Sequence, residues 1–238
     1  MIELENISLS FDDVDVLRSI SLTVEPGTTA VILGASGSGK STILKILLGL
    51  LEPNAGDARI NDRSMTTANQ HERTRLRRSM GMVFQEGALF DSLTVRDNVG
   101  YRLIEQEVAP EEVDEAVHAK LEFVDLVGTM HKMPSELSGG MQRRVAIARA
   151  LVGNPDVMLF DEPTTGLDPI VAKRITDHIN DLRAQGITSV VVTHELPYAY
   201  RMADQIYLLS EGKFIFQGTV EEFKNCDDEY LVEFREYQ

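Results

Sequence analysis

Two glycines, a lysine and a serine at fixed spacing, Gly34-x-x-x-x-Gly39-Lys40-Ser41, form a pattern suited to holding a polyphosphate. The β-branched apolar run Ala30–Leu33 precedes them and reads as a buried strand, and Leu44, Leu47 and Leu48 follow at helical spacing. In such a strand–loop–helix the glycines let backbone N–H groups turn inward around an anion. The helix that starts near Lys40 adds its positive end. Gly34, Ala35, Ser36, Gly37, Ser38, Gly39, Lys40, Ser41 and Thr42 are therefore the expected phosphate-binding residues. The Lys40 ammonium would reach the β- and γ-phosphates, and the Ser41 hydroxyl would ligate Mg²⁺.

A second group of chemistry-bearing residues follows another apolar run. Asp161 and Glu162 come directly after Val157-Met158-Leu159-Phe160. Carboxylates at the C-terminal end of a buried strand lie where α/β sheets bind ligands. Asp161 is expected to hold Mg²⁺ through water, and Glu162 to polarise an attacking water. A third stretch, Leu137-Ser138-Gly139-Gly140-Met141-Gln142, precedes a helix marked by Val145, Ile147, Ala148 and Leu151. A serine hydroxyl and glycine N–H groups at a helix N-terminus make a second anion site.

The elements that must position these residues alternate between strand and helix. Residues 1–9 and the region of Leu22 and Val24 read as strands, and Pro26-Gly27 as the turn before the P-loop strand. Three close strands before any helix suggest a small antiparallel sheet beside the nucleotide site. Ala58–Ile60 reads as a short strand and 68–79 as a charged helix, where Arg73, Arg75, Arg77 and Arg78 form a basic cluster read as a solvated face. Met80–Phe84 is a buried strand ending at Gln85, and 94–152 is mostly helical. Helix 169–185, strand 189–192, the pair 206–209 and 214–216, helix 219–225 and an amphipathic tail complete the chain. The tail sets Tyr230, Phe234 and Tyr237 at helical spacing.

The chain has 238 residues, of which 43% are hydrophobic, enough for a large buried core. A formal charge of −15 disfavours general nucleic-acid binding and adsorption to anionic lipid. The single cysteine, Cys226, rules out an internal disulfide and suits a reducing compartment. No apolar run is long enough to span a bilayer and the N-terminus opens as a strand, so a cytoplasmic location is expected.

The Leu137–Gln142 stretch resembles the signature motif of ATP-binding cassette (ABC) ATPases, and the rest of that family's pattern follows in order over residues 1–218. Gln85 stands at the Q-loop glutamine, Asp168 in Thr165-Gly166-Leu167-Asp168 at the D-loop aspartate, and His194 at the switch histidine. Phe11 stands where the family stacks an aromatic ring, more often tyrosine, on adenine. The resemblance implies an α/β P-loop NTPase with a RecA-like core (1–86 and 154–218), a small antiparallel β subdomain, an inserted helical subdomain (87–153) and a C-terminal helical tail (219–238). It implies an ATPase using ATP and Mg²⁺, with Glu162, His194, Gln85 and Lys40 in hydrolysis. Ser41, Gln85 and Asp161 would stand about the metal, and Phe11, Ser138, Gly139, Gly140 and Asp168 about the nucleotide. Two copies would stack head to tail, each capping the other's ATP.

Gly87-Ala88-Leu89-Phe90, after the Q-loop, is similar to the ATPases of Mla/Mce-type phospholipid transport systems, the MlaF group. That likeness implies a homodimer on the cytoplasmic face of the inner membrane, bound to MlaE-like permease subunits. A STAS-domain regulatory subunit and a periplasmic Mce lipid-binding protein are further implied partners, and nucleic acid is not. Met141-Gln142-Arg143-Arg144 departs from that group towards importers of polar solutes. An amino-acid or other polar-solute importer is therefore the first alternative, and a soluble assembly ATPase without permease the second. Chromosome and repair ATPases need a coiled-coil insertion for which there is no room, and translation-factor cassettes carry two P-loops.

Overall fold

The computed structural model describes residues 1–12 and 14–236. β1 (Ile2–Phe11) and β2 (Val14–Val24) pair antiparallel, with Ile2 opposite Val24 and Leu4 opposite Leu22. Pro26-Gly27 turns the chain into β3 (Thr29–Leu33), and the glycine-rich loop leads into α1 (Lys40–Leu47). β4 (Ala55–Ile60), β5 (Arg63–Ser64), α2 (Gln70–Arg78) and β6 (Met80–Val83) follow. A helical lobe is then built from α3 (Val95–Glu105), α4 (Pro110–Phe123) and α5 (Gly139–Leu151). The core resumes with β7 (Val157–Asp161), α6 (Pro169–Ala184), β8 (Thr188–Thr193) and α7 (Leu196–Met202). β9 (Gln205–Ser210), β10 (Lys213–Gly218), α8 (Val220–Asn225) and α9 (Glu229–Glu236) close it.

Among the described residues the strands form two sheets. The antiparallel sheet has the order β2-β1-β4-β5, so the grouping expected from the sequence is corrected. β3 does not join the first two strands; β4 and the two-residue β5 complete their sheet. The cause lies in burial. β1 and β2 expose many of their side chains, as strands covered on one face do, whereas every residue of β3 is buried. A strand buried on both faces belongs inside a parallel sheet.

That sheet has the order β10-β9-β3-β8-β7-β6, parallel except for β10. Its register sets Leu33 beside Thr193, Asp161 beside Val192 and Val83 beside Phe160. The C-terminal ends of β3, β8, β7 and β6 thus stand in a row, which is how residues more than a hundred positions apart meet. Its two faces carry separate cores. Val31, Leu33, Met158, Phe160 and Val191 pack towards the helical lobe and α6, while Ala30, Ile32, Val157, Leu159 and Val192 pack with α1 and the antiparallel sheet.

The basic cluster on α2 is corrected in part. Arg75 and Arg78 are exposed, but Arg77 donates to the carbonyls of Leu48 (2.8 Å) and Gly49 (3.1 Å), the orphan acceptors at the end of α1. Arg73 donates to Met65 and Thr66 carbonyls and reaches Glu52 at 2.6 Å. Two of the four arginines therefore brace α2 against its neighbours. No helix among the described residues is long and apolar enough to cross a membrane.

In the tail, Leu231 and Phe234 are the buried pair, packed into this chain's own core, and Tyr230 is 43% exposed. Tyr237, the third member of the spacing noted above, lies outside the described residues. Leu231→Ala should cost about 2–4 kcal/mol, as deletion of a fully buried leucine side chain does. Tyr230→Ala should cost under about 1 kcal/mol. Urea denaturation of both variants checks this, and equal costs would mean that the tail is held by its exposed face.

Candidate functional site

The loop between β3 and α1 has the shape an anion needs. A Cβ on Gly34 would stand 2.5 Å from the Leu209 carbonyl and 2.8 Å from Ser38 Oγ, so no side chain fits where the loop leaves the sheet. Gly39 has φ +103° and precedes α1 without any side-chain cap, which leaves the first N–H groups of the helix for a ligand. Lys40 is 6% exposed, and its Nζ donates to the carbonyls of Gly34 (2.8 Å) and Ala35 (3.0 Å). It also stands 3.5 Å from Glu162 Oε1. Burial pulls its pKa down, and the charges of Glu162 and Asp161 oppose that.

Two carboxylates face this loop, Asp161 from the end of β7 and Glu162 from the residue after it. Ser41 Oγ donates to Asp161 Oδ1 at 2.9 Å, so a hydroxyl and a carboxylate lie side by side. Burial, reinforced by the charge of Glu162, raises the pKa of Asp161 against the Ser41 hydrogen bond and Lys40. A cation beside these two oxygens would relieve that strain on the charge. Among the described residues no three His, Cys, Asp or Glu side chains gather as a metal cage. A hydroxyl and one carboxylate suit Mg²⁺, which keeps several waters and shares the oxygens of a bound phosphate.

Glu162 has a left-handed backbone, φ +48°, and is 8% exposed. Burial pushes its pKa up, but hydrogen bonds from His194 and Thr165 and the nearby charges outweigh it, and the group is held below the ordinary glutamate value. His194 Nδ1 lies 3.0 Å from Oε2 and Thr165 Oγ1 donates to the same oxygen at 2.9 Å. An ionised carboxylate only accepts, so the histidine presents its Nδ1 proton there and keeps Nε2 for another partner. The carboxylate is thus charged, oriented and next to an ammonium, as a group that takes or polarises a proton must be.

The P-loop residues Ala35, Ser36, Gly37, Gly39, Lys40, Ser41 and Thr42 share a cavity of about 460 Å³ with Phe11, Val16, Gln85, Glu162 and His194. Phe11 is 47% exposed on its wall, and Gln85 is exposed. Ser138, Gly139, Gly140 and Asp168 are not among the residues around it. Ser138 caps α5, accepting from Met141 N at 3.3 Å, and Ser138 and Gly139 are exposed. Gly140 packs so tightly on α6 that a Cβ would meet Val171 at 2.5 Å. Asp168 caps α6, accepting from the Ile170 and Val171 N–H groups. One chain therefore presents a phosphate cavity in one place and an exposed glycine-rich helix start in another.

The sequence profile of the ABC transporter family matches residues 17–165. The chain belongs to the ABC transporter family. The cassette hydrolyses ATP and couples that reaction to transport. It is 38% identical over 236 residues to the intermembrane phospholipid transport ATP-binding protein MlaF of Haemophilus influenzae, covering 98% of this chain and 89% of that one. It is also 38% identical over 239 residues to the glutamine transport ATP-binding protein GlnQ of Escherichia coli, covering 100% and 99%. A solved dimeric ATP-binding cassette in a post-hydrolysis state, bound to ADP and Pi, superposes with a TM-score of 0.86 at 33% identity, over 92% of this chain and 99% of that one.

Sequence reasoning missed three groups about the cassette's cavity. Thr165 grips the Glu162 carboxylate. Thr164, fully buried, donates to the Glu195 carboxylate and so links the loop after β7 to the loop after β8. Arg143, on α5, donates to the Glu162 main-chain carbonyl at 3.0 Å. All three lie within four residues of recognised positions, Thr164 and Thr165 after Glu162 and Arg143 after Gly140, and that proximity was the available signal.

Proposed function

We propose that two copies of the cassette close head to tail over ATP and drive phospholipid transport of the Mla/Mce type. In each composite site Lys40 binds the β- and γ-phosphates of one copy's nucleotide, and Ser138 and Gly140 of the second copy close over it. Ser41 and Asp161 would hold Mg²⁺, with Gln85 beside them, and the ion would neutralise charge on the transferring phosphoryl group. Glu162 orients the water and accepts its proton. His194 keeps Glu162 in place through Nδ1 and has Nε2 for the γ-phosphate. Phe11 stacks on the adenine, and Asp168 faces the second copy. The match to a dimeric cassette bound to ADP and Pi supports the pairing.

What favours phospholipid as cargo is the likeness of the sequence Gly87–Phe90 to Mla/Mce-type ATPases; the geometry of that loop supports docking on a permease, which both cargo readings share. Identity to relatives does not separate lipid from glutamine transport, at 38% in both cases. The loop is built as a rigid, partly apolar platform. Arg149 donates to the Gly87 and Ala88 carbonyls at 2.7 Å each, and buried Asn98 donates to the Phe90 carbonyl at 3.0 Å and accepts from its N–H at 2.8 Å. The exposed Phe90 ring packs against Tyr101, with centroids 4.8 Å apart. Tyr101 and Ile104 border a groove of about 410 Å³ that also includes Leu93, Val108 and Val113. An apolar segment of a permease on the cytoplasmic membrane face fits this surface. The Met141–Arg144 sequence and the equal likeness to a glutamine transporter favour a polar-solute importer as the second reading.

Purification of Glu162→Gln cassette with ATP from its native membrane tests both. A multipass permease, an Mce-domain protein and bound phospholipid are expected. A permease with a polar-solute binding protein would overturn the cargo, and soluble partners alone would overturn the attachment to a permease.

A further inference from the structure

Three arginines on α5 each hold main-chain carbonyls of a different segment. Arg144 donates to Val124 (2.8 Å) and Asp125 (3.4 Å) at the end of α4, within the helical lobe. Arg149 holds Gly87 and Ala88. Arg143, 7% exposed, reaches out of the lobe to the carbonyl of Glu162 in the loop that leaves β7. Its guanidinium pays for burial with a lowered pKa, which the charges of Glu86, next to Gln85, and of Asp161 oppose.

The carbonyl that Arg143 holds is an unusual one. Glu162 sits at φ +48°, a conformation that is strained for a residue with a Cβ and persists only where its surroundings fix it. Its N–H is fixed by the Val192 carbonyl at 2.9 Å, on the neighbouring strand. On its carbonyl side the partners are Arg143 Nη1 at 3.0 Å and the Thr165 N–H at 3.4 Å. With N–H and C=O both anchored, the direction of the Glu162 Cα–Cβ bond is set, and with it the reach of the carboxylate towards Lys40 and His194. One anchor belongs to the core sheet, the other to the helical lobe. Arg143 lies four residues into a helix capped by Ser138, about 6 Å along its axis at 1.5 Å per residue.

We propose that Arg143 is a positioning residue for hydrolysis: it ties the direction of the Glu162 side chain to the place of the Ser138–Gly140 helix end in the same chain. A shift of that helix end as one composite site closes is then carried to the carboxylate at the other, because a single helix carries both contacts. The inference rests on the proposed role of Glu162 and deepens it.

A double-mutant cycle tests it, because residues that act through one another are non-additive. Arg143→Met keeps much of the stem and removes every donor. Steady-state hydrolysis should show kcat down about tenfold and KM for ATP within about twofold, the loss of one charge-assisted hydrogen bond felt at the chemical step. Arg143→Lys, which keeps the charge and a donor, should recover part of kcat. In single-turnover reactions, Arg143→Met added to Glu162→Gln should change the residual rate by less than about twofold. The same drop in both backgrounds, or an unchanged kcat in Arg143→Met, would overturn the proposal. If Arg143→Met does not fold, the cycle is run with Arg143→Gln, which keeps a polar end but loses the guanidinium reach. Wild-type turnover in Glu162→Gln alone would instead overturn the role of Glu162, and this inference with it.

Discussion

Glu162→Gln should still bind ATP and should hydrolyse it about 10²–10⁴-fold more slowly, the range expected on losing a positioned general base. The substitution is nearly isosteric. The amide oxygen can still accept from Thr165 Oγ1 and from His194 Nδ1, so the loop keeps its shape. What disappears is the charge and the ability to take a proton. Removing a carboxylate from beside a polyphosphate lowers repulsion, so affinity should hold or rise. Equilibrium ATP binding, single-turnover hydrolysis and mass in the presence of ATP check the three parts of the expectation, the last being a stable dimer. Fast turnover would sink the assignment. The pH dependence adds a sign. His194, Thr165 and the neighbouring charges keep Glu162 below the ordinary glutamate pKa despite burial. Its contribution to stability is therefore present above the unfolded value and is lost as pH falls through the depressed folded value. The acid limb of the rate should lie in that same low window, and His194→Ala, which removes the strongest interaction holding the pKa down, should move the limb to higher pH.

The contrast between what the chain reveals as a string and what it reveals folded follows from distance along it. The P-loop is legible because Gly34 to Thr42 are consecutive and their constraint is local: a close approach at Gly34 and an uncapped helix start at Gly39. The β3, β7 and β8 strands are legible because burial on both faces leaves uninterrupted apolar runs. The convergence of Glu162 and His194 on Lys40 is different in kind. It depends on the register of three strands, with Asp161 beside Val192 and Leu33 beside Thr193. Periodicity carries no information about register between parallel strands far apart in sequence, so Glu162 is tied to the site only by its place at the end of a buried strand, and His194 by resemblance alone. The errors have the same origin. β3 stands near β1 and β2 in the chain, yet its two buried faces send it to the other sheet. Arg73 and Arg77 have the composition of a solvated face, but the Met65 and Thr66 carbonyls lie within reach of Arg73, and those at the end of α1 within reach of Arg77. Arg143 sits in Met141–Arg144, a stretch that speaks for kinship, and Arg149 on a helix legible only from its apolar residues. An arginine that braces a loop and one that faces water look the same in a sequence.

Lys40→Ala should abolish function at the step before Glu162. The Lys40 ammonium is buried, bonded to two P-loop carbonyls and 3.5 Å from Glu162. Burial has already lowered its pKa, so the site holds a cation at a cost that a polyphosphate would offset. Removing it leaves the Gly34 carbonyl without its donor and deletes the buried positive charge nearest the place of the γ-phosphate. ATP affinity should fall by at least about 30-fold, or roughly 2 kcal/mol, in keeping with loss of a charge-assisted hydrogen bond in a buried site. Hydrolysis should drop to background. Lys40→Arg keeps the charge but not the point geometry: a planar fork does not fill a niche where one nitrogen serves two carbonyls and a carboxylate. Its hydrolysis should fail as well, with part of the binding retained. Set beside Glu162→Gln, these variants separate the two halves of the reaction: one keeps nucleotide and loses chemistry, the other loses nucleotide. A Lys40→Ala cassette that bound ATP with wild-type affinity would mean that the backbone of the loop and the helix start suffice, and that the buried ammonium serves only the transition state.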